Sequence, residues 1–368
     1  MGIKADDKPR PGTFVIRRYH DYGDWRPVEE RLLSEAESLG DLLTDFKSFV
    51  SPALLDESAW PSVISATEQW PATCGALPFG FEFPLRDPRP GADFGITLVS
   101  RGKTADWIRR QASTGAASTV IRRLAGLLDE MSTTLRREID RAMLEIDIVT
   151  PGSRASREPG VFVYFRARPP GRPNDGRHGV DAVFAAMNAA VGRPDDQNEF
   201  RLAARVLRAV PPGASLISVG ALPGRDRGFR LSVNGFAEGG DAAAFLRRVG
   251  WNGRYDALAE AVVRLQRRRA FDRLGVMLYG CPEGLETRLG LHLLRGTPSE
   301  MPVLLDALAG EGCVEGKLSG LRATATNAVE LWGRTGAFTL QRGISHAKLV
   351  LSDSGFEQAK AYVGFCCA

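Results

Sequence analysis

The sequence predicts an α+β fold in which ten antiparallel strands close into a barrel and helices cover its outside. Strand-like segments occur in five adjacent pairs, and strands joined by short turns must be antiparallel neighbours. Helical segments separate the pairs, so the helices return across one face of the sheet. An open α+β sheet and two smaller α+β domains are the alternatives. A barrel is favoured because closure removes both sheet edges.

Each strand pair follows helix-like sequence with apolar residues spaced three or four positions apart. The predicted helical segments are 27–50, 104–139, 179–191, 196–209, 241–267 and 299–333. The predicted strand pairs are 79–85 with 93–100, 142–150 with 160–168, 214–222 with 228–236, 273–280 with 287–294, and 344–352 with 357–365. No Pro/Ser-rich linker separates these units. We therefore expect a flexible tail over 1–12 and one barrel domain over 13–368.

Composition and short motifs exclude several classes of function. The 368 residues carry a net charge of +4, and the densest basic run, 264–270, falls where a helix ends, so no nucleic-acid surface is expected. The chain contains no apolar run of about 18 residues and no signal-peptide core, so we expect no membrane span and a cytoplasmic location. Five cysteines without CxxC and four histidines without HxxxH predict no protein metal site.

The final residues contain two adjacent cysteines, Cys366 and Cys367. A CaaX prenylation signal needs a cysteine fourth from the end, where this chain has Phe365. Adjacent strand residues point to opposite faces, so the two thiols are not expected to share a metal ion. We interpret them as frayed bystander thiols after a closing strand that ends at Phe365.

Alternation along the strands predicts which side chains point into the barrel. The more apolar face of each strand must pack against the helices, and the other face carries bases and tyrosines with few acids. Buried cations are costly unless an anion compensates them. The lumen is therefore predicted to bind a polyanionic head between aromatic walls. The inward residues are Arg166, Arg230, Arg288, Lys348 and Lys360, with Tyr164, Tyr279 and Tyr362.

Three further inward side chains have more than one interpretation. Glu82 is a general base, an anchor for a substrate N–H or O–H, or an ion-pair partner for the lumen arginines. His292 and His346 are proton acceptors or plain hydrogen-bonding groups. On the next strand, alternation does not decide whether Glu145 or Asp147 points inward. A Ser345-x-x-Lys348 pair resembles a serine acyl-enzyme motif, but on a strand the two side chains point to opposite faces.

Four stretches resemble the ABBA-type aromatic prenyltransferases, and among these the cyanobactin-type peptide prenyltransferases look nearest. They are FGFEFPL at 79–85, GASLISVGALPGRDRGFRLSVNG at 213–235 with the following helix, HAKLVL at 346–351 and AKAYVGF at 359–365. The resemblance covers about residues 27–365. It departs from the family in strand 93–100, where members usually place an arginine and this chain has none.

The resemblance implies transfer of an isoprenyl group from an allylic diphosphate to an aromatic small molecule or a peptide. Glu82 matches the residue that engages the acceptor's nucleophile, Arg230 and Lys360 match diphosphate-binding bases, and Tyr362 matches a tyrosine that shields the allylic cation. Arg166, Arg288 and Lys348 would join the diphosphate site, and Tyr164, Tyr279 and Trp251 the aromatic wall.

No cofactor is implied by this resemblance. The chain lacks a DDxxD motif, so an obligatory metal-bridged diphosphate is not expected, although Mg²⁺ bound directly to the donor stays open. Two alternatives are kept. One is a non-catalytic barrel that binds a peptide and escorts it to modifying enzymes of peptide natural-product biosynthesis. The other is a different peptide-modifying enzyme on the same barrel.

Overall fold

The computed structural model describes residues 25–148, 158–166, 179–225, 228–296, 300–324 and 327–368. Over these residues, eleven strands form one antiparallel sheet. The strands are β1 (Phe79–Pro84), β2 (Asp93–Leu98), β3 (Ile139–Asp147), β4 (Gly160–Phe165), β5 (Ser215–Ala221), β6 (Phe229–Phe236), β7 (Arg273–Cys281), β8 (Gly284–Leu294), β9 (Asn327–Gly333), β10 (Gly336–Ser352) and β11 (Gly355–Cys367).

Ten of these strands close into a barrel, which confirms the predicted architecture. Strands β1 to β8 pair in chain order, β8 pairs with β10, and β10 pairs with β11. The ring closes where β11 pairs with β1, with Phe79 opposite Phe365 and Glu82 opposite Tyr362. Strand β9 lies outside the ring and pairs with the first part of β10.

Helices surround the barrel, and capping residues set where several of them begin. Ser38 and Asp41 form a capping box at the start of the helix Leu39–Phe46, and Ser118 and Asp196 cap the helices Thr119–Ser132 and Gln197–Ala209 through their side chains. The helices are α1 (Arg26–Glu35), α2 (Leu39–Phe46), α3 (Trp60–Thr67), α4 (Lys103–Ala112), α5 (Thr119–Ser132), α6 (Val180–Val191), α7 (Gln197–Ala209), α8 (Gly239–Val249), α9 (Tyr255–Arg267), α10 (Met301–Ala309) and α11 (Glu315–Ala323).

Several long helical segments of the sequence prediction are divided in the structure. The segment 27–50 consists of α1 and α2, separated at the Ser38 cap, and then a short 3-10 turn. The segment 104–139 consists of α4 and α5 and ends at Ser132. Gly250, with a φ of +75°, ends α8 and separates it from α9. The prediction did not include α3.

The most substantial correction concerns the segment 299–333. It was predicted to be helical to its end, but α11 ends at Ala323 and β9 follows from Asn327. In residues 327–342, Val329 and Leu331 are opposite Leu340 and Phe338, and the two arms are joined by a two-residue turn, Arg334–Thr335. Gly336 has a φ of +123°, a conformation that glycine adopts without strain. This pattern makes a hairpin, so β10 begins at Gly336 rather than at 344.

The hydrophobic core lies between the outer face of the barrel and the helices. Phe81, Phe83 and Phe94 on β1 and β2 are buried there, with the Phe81 and Phe94 ring centroids 5.1 Å apart. Phe365 on β11 stacks against Phe79 across the closure at 5.8 Å. The outer face of the first and last strands is therefore an aromatic seam that holds the barrel shut.

The C-terminal cysteines correct one expectation. Strand β11 continues through Cys367, and both Cys366 and Cys367 are buried rather than frayed. Burial raises the pKa of Cys366 to about 12, so this thiol is held protonated. The predicted tail over 1–12, the ends of strands 142–150 and 160–168, and most of the glycine- and proline-rich loops at 150–160 and 168–179 lie outside the described residues.

The barrel has two different ends. At the hairpin end, turns join the paired strands, such as Asp353–Ser354 between β10 and β11. At the helix end, the chain leaves the sheet for the surrounding helices. Among the described helices, none is long and apolar enough to cross a membrane.

Closure of the barrel requires a glycine at position 80. A Cβ atom on Gly80 of β1 would lie 2.0 Å from the backbone oxygen of Val363 on β11. We predict that Gly80→Ala lowers the free energy of unfolding by about 1–3 kcal/mol, because the two closing strands must separate. Gly95→Ala is the matched control. Gly95 is opposite Gly80 on β2, and its Cβ would meet its nearest neighbour, Met143 Sδ, at 3.6 Å. Urea unfolding measures both, and equal losses would contradict the role of Gly80 in closure.

Candidate active site

The barrel encloses a cavity of about 400 Å³. Glycines on three neighbouring strands, Gly80, Gly95 and Gly364, leave part of its wall without side chains. The remaining wall combines apolar, aromatic and charged groups. They include Phe162, Tyr164, Met143, Met277, His292, His346 and Tyr362, together with Glu82, Asp93, Glu145, Arg141 and Lys348.

A charged network occupies the lumen from its centre toward the hairpin end. Its members are Glu82, Asp93, Glu145, Asp147, Arg225, Lys348 and Lys360. Arg225 comes from the connection between β5 and β6 and reaches the carboxylates of β2 and β3. Its guanidinium lies 2.6 Å from Asp93 and 2.9 Å from Glu145, and it also pairs with Asp147. Glu145 and Asp147 thus lie on the same face of β3.

Glu82 is the centre of the second half of the network. It is 5% exposed, and its carboxylate accepts a hydrogen bond from the Lys360 ammonium group. The Lys348 ammonium lies 3.6 Å from its other oxygen. Tyr362 is opposite Glu82 in the pairing of β1 with β11, and its hydroxyl group helps to lower the pKa of this carboxylate. Three side chains from the last two strands therefore converge on one acid of the first strand.

Burial and pairing determine the charge states here. Burial opposes ionisation of Glu82, but Lys360 and Lys348 outweigh it and hold its pKa well below the ordinary value. Burial also opposes the charge on Lys360, yet Glu82 raises the pKa of that ammonium group. Lys348 is different, because burial dominates and lowers its pKa to about 8. Burial and the neighbouring Glu82 raise the pKa of Asp93 to about 7.

Three carboxylates of the network lie close enough to hold a cation together. Oxygen atoms of Glu82, Asp93 and Glu145 all lie within 4.8 Å of one another. Arg225 and Lys360 already pair with these acids. Two cations of the protein therefore already offset part of the negative charge of these three acids.

Uncharged aromatic rings form another part of the cavity wall. The His346 ring stacks on Tyr362 with centroids 4.2 Å apart and 6° between the planes, and His292 lies 5.2 Å from His346. Burial and Lys348 lower the pKa of His346 to about 3, while burial, His346 and Lys348 hold the pKa of His292 well below its usual range. Both imidazoles are therefore neutral near pH 7.

Arg230, Arg288 and Tyr279 form a separate group toward the hairpin end. The two guanidinium groups lie 5.2 and 4.3 Å from the centroid of the Tyr279 ring. Arg288 also pairs with Glu286 at 3.1 Å. Four of the five predicted diphosphate ligands therefore lie in two groups. Lys348 and Lys360 meet at Glu82, while Arg230 and Arg288 flank Tyr279.

Two predicted site residues lie away from these groups. Arg166 follows the end of β4, pairs with Asp140 at 3.5 Å and donates to the backbone oxygen of Ile139. Trp251 is buried in the core outside the barrel, where its ring lies 5.0 Å from that of Tyr255. Trp251 follows α8 rather than lying on a strand, so strand alternation gave no information on its direction.

Several lumen residues escaped the sequence prediction. Asp93, Gly95 and Thr97 share one face of β2, and their small or polar character against Phe94, Ile96 and Leu98 was a usable signal of that face. The lumen also holds more carboxylates than the later strands suggested. Arg225 gave no signal, because alternation does not extend into the β5–β6 connection.

Comparisons with known proteins give matches to solved structures alone. No family model and no curated protein matches the chain. The crystal structure of 6-dimethylallyltryptophan synthase from Micromonospora olivasterospora, in complex with DMASPP and Trp, is 16% identical, with 79% of this chain and 82% of that chain covered and a TM-score of 0.42. The apo form of the prenyltransferase PriB is 15% identical, with coverages of 90% and 96% and a TM-score of 0.49. A second 6-dimethylallyl tryptophan synthase structure is 16% identical, with coverages of 79% and 81% and a TM-score of 0.43. At these values the likenesses carry no information on substrates.

Removal of the Glu82 charge tests the charged network. We predict that Glu82→Gln lowers the free energy of unfolding by about 3–5 kcal/mol, because two buried ammonium groups lose their counter-ion. Since the pKa of Glu82 is lowered on folding, its contribution is present above the ordinary value of 4.5 and disappears as the pH falls through the folded-state pKa. Urea unfolding of wild type and variant between pH 3 and pH 7 measures this difference.

The control for this variant is Glu57→Gln. Glu57 also pairs with a lysine, Lys47, but its side chain is 78% exposed. Its loss is expected to change the unfolding free energy by less than about 1 kcal/mol. Equal effects of the two substitutions would contradict a special contribution from the lumen pair.

Proposed function

We propose that this protein transfers an isoprenyl group from an allylic diphosphate to an aromatic nucleophile held inside the barrel. The observation that carries the proposal is the meeting of two ammonium groups and one carboxylate beside an aromatic-walled cavity in the barrel lumen. Lys348 and Lys360 supply the positive charge, Glu82 the negative charge, and Tyr362 both a ring and a hydroxyl group. A diphosphate ester with an apolar tail and an aromatic acceptor matches this set of groups.

The donor's diphosphate is the group that the lysines would bind. The carbon–oxygen bond between the allylic carbon and the diphosphate breaks, and its electron pair leaves with the diphosphate. Lys348 and Lys360 stabilise the added negative charge through charge-assisted hydrogen bonds. Because Glu82 already holds both ammonium groups in place, little reorganisation is needed when the charge develops.

The allylic cation left behind needs protection from water. The lumen supplies ring faces from Tyr164 and Tyr362, and Phe162 and Met277 add apolar wall. The electron-rich faces of aromatic rings stabilise a cation, and an enclosed cavity limits access of water. The neutral rings of His292 and His346 extend this wall without adding positive charge.

Glu82 would orient the nucleophile. An ionised carboxylate accepts a hydrogen bond from the acceptor's N–H or O–H, which raises the electron density of its ring. The allylic carbon then bonds to a ring atom or a heteroatom, and the proton displaced from that position leaves. Glu82, which is ionised in the free protein, accepts this proton in the proposed arrangement.

Finer statements about this function stay predictions. They are a nearest resemblance to the cyanobactin-type peptide prenyltransferases, a peptide acceptor, the single domain over 13–368, and a cytoplasmic location. Mg²⁺ bound to the donor is equally untested. Arg230 and Arg288 are proposed as further contacts for the donor at the hairpin end of the lumen.

Binding of a thiolodiphosphate donor analogue tests the proposal. We predict that Lys348→Met and Lys360→Met each weaken this binding about 10- to 100-fold, because each removes a charge-assisted hydrogen bond. Lys103→Met is the control, since Lys103 is an exposed lysine paired with Glu30. Calorimetry measures the affinities. Unchanged donor affinity in both lumen variants, with binding of a peptide retained, would instead favour the escort alternative.

The pKa of Lys348 predicts a pH dependence of donor binding. The pKa of this group is about 8 in the free protein, and only its protonated form attracts the diphosphate. Donor affinity should therefore fall by about tenfold per pH unit above pH 8. In Lys348→Arg the guanidinium stays charged, so the decrease should move to higher pH. The same midpoint in wild type and variant would assign the titration to another group.

A further inference from the structure

Two buried polar atoms on lumen-facing strand residues near the helix end lack a hydrogen-bond partner within the described part of the chain. They are Nε2 of His292 on β8 and Oδ1 of Asn234 on β6. His292 is 6% exposed, and both residues line the cavity. A buried polar group left unpaired is destabilising, so each such group calls for an explanation. A bound ligand would supply the missing partners.

The two residues lie on one rung of the barrel, which is a row of paired residues on neighbouring strands, with a glycine between them. Asn234 is opposite Gly275 of β7, and Gly275 is opposite His292. A Cβ on Gly275 would lie 2.0 Å from Asn234 Oδ1 and 3.1 Å from His292 Cβ. The absent side chain therefore makes the room in which the Asn234 amide lies beside the imidazole.

The rung is electrically neutral. Asn234 carries no charge, and burial keeps His292 unprotonated. The two cations that line this end of the cavity are paired with acids, since Arg141 lies 3.0 Å from Asp140, and Arg295 lies 3.2 Å from Asp272 and 3.1 Å from Glu300. Lys348, nearer the centre, lies beside Glu82. A charged carboxylate or ammonium group of a ligand would find no partner of opposite charge on this rung.

We infer that Asn234 and His292 form a subsite for an uncharged amide group of the acceptor. An amide offers a donor N–H for Asn234 Oδ1 and a carbonyl oxygen that a ring N–H of His292 can bind. This inference rests on the proposed function, because it names the chemistry of the acceptor that the same cavity holds. It favours a peptide or an amino-acid amide over a free amino acid.

Three matched ligands test the subsite in the absence of donor. They are N-acetyl-L-tryptophanamide, N-acetyl-L-tryptophan and L-tryptophan, which share an indole and differ in the groups around the α-carbon. Calorimetry is expected to show the amide binding about tenfold more tightly than either charged ligand. Asn234→Leu and His292→Phe keep the approximate size of each side chain, and each should weaken binding of the amide about five- to tenfold while leaving the acids within about twofold.

The control is Met277→Leu, which changes an apolar wall residue of the same cavity and should keep the preference for the amide. Equal affinities of wild type for the three ligands, equal losses for amide and acids in the variants, or no binding of any ligand would overturn the inference. The ligand series on wild type gives this answer even where a variant fails to fold.

Prenyl transfer is measured separately, so the two proposals fail in different ways. A preference for the amide without a prenylated product on addition of dimethylallyl diphosphate would retain the subsite and contradict the proposed function. A prenylated product without this preference for the amide would retain the proposed function and contradict the subsite.

Discussion

The ion pair between Glu82 and Lys360 links the first strand of the barrel to the last, at a depth where water does not compensate either charge. Charges in such a place must be paired, and the other lumen charges are arranged accordingly. Lys348 reaches the same carboxylate from β10, and Arg225 covers the acids of β2 and β3. Closure of the sheet therefore completes the charged network, because the pairing of β1 with β11 brings Lys360 to Glu82.

The lumen changes character along the barrel axis. Ion pairs of Glu82, Asp93 and Glu145 extend from its centre to the hairpin end. The helix end combines uncharged groups, which are His292, Asn234 and the ring stack of His346 on Tyr362, with two paired cations, Arg141 and Arg295. A substrate with a charged head and an uncharged partner would therefore have one orientation in which both ends match their surroundings. In the proposed reaction the diphosphate lies near Lys348 and Lys360, and the acceptor extends toward the helix end.

The sequence contained enough local information to predict the barrel but not its full contents. Alternation in FGFEFPL and AKAYVGF placed Glu82, Lys360 and Tyr362 inside, and short turns made the strand pairs antiparallel. The directions of side chains that lie outside the strands could not be predicted in this way. Arg225 lies in a connection, Trp251 follows a helix, and Arg166 lies beyond the end of its strand, so alternation does not fix their directions. Strand β9 was missed because Asn327–Gly333 follows helical sequence directly, and its pairing with β10 decided its structure.

A crystal structure with a thiolo analogue of dimethylallyl diphosphate would test the central claim most directly. Electron density for the analogue is expected inside the lumen. Its diphosphate oxygens should lie within hydrogen-bond distance of Lys348 and Lys360, and its isoprenyl tail should lie against Tyr164 and Tyr362. A lumen that stays empty at saturating analogue, or a diphosphate bound outside the barrel, would contradict it.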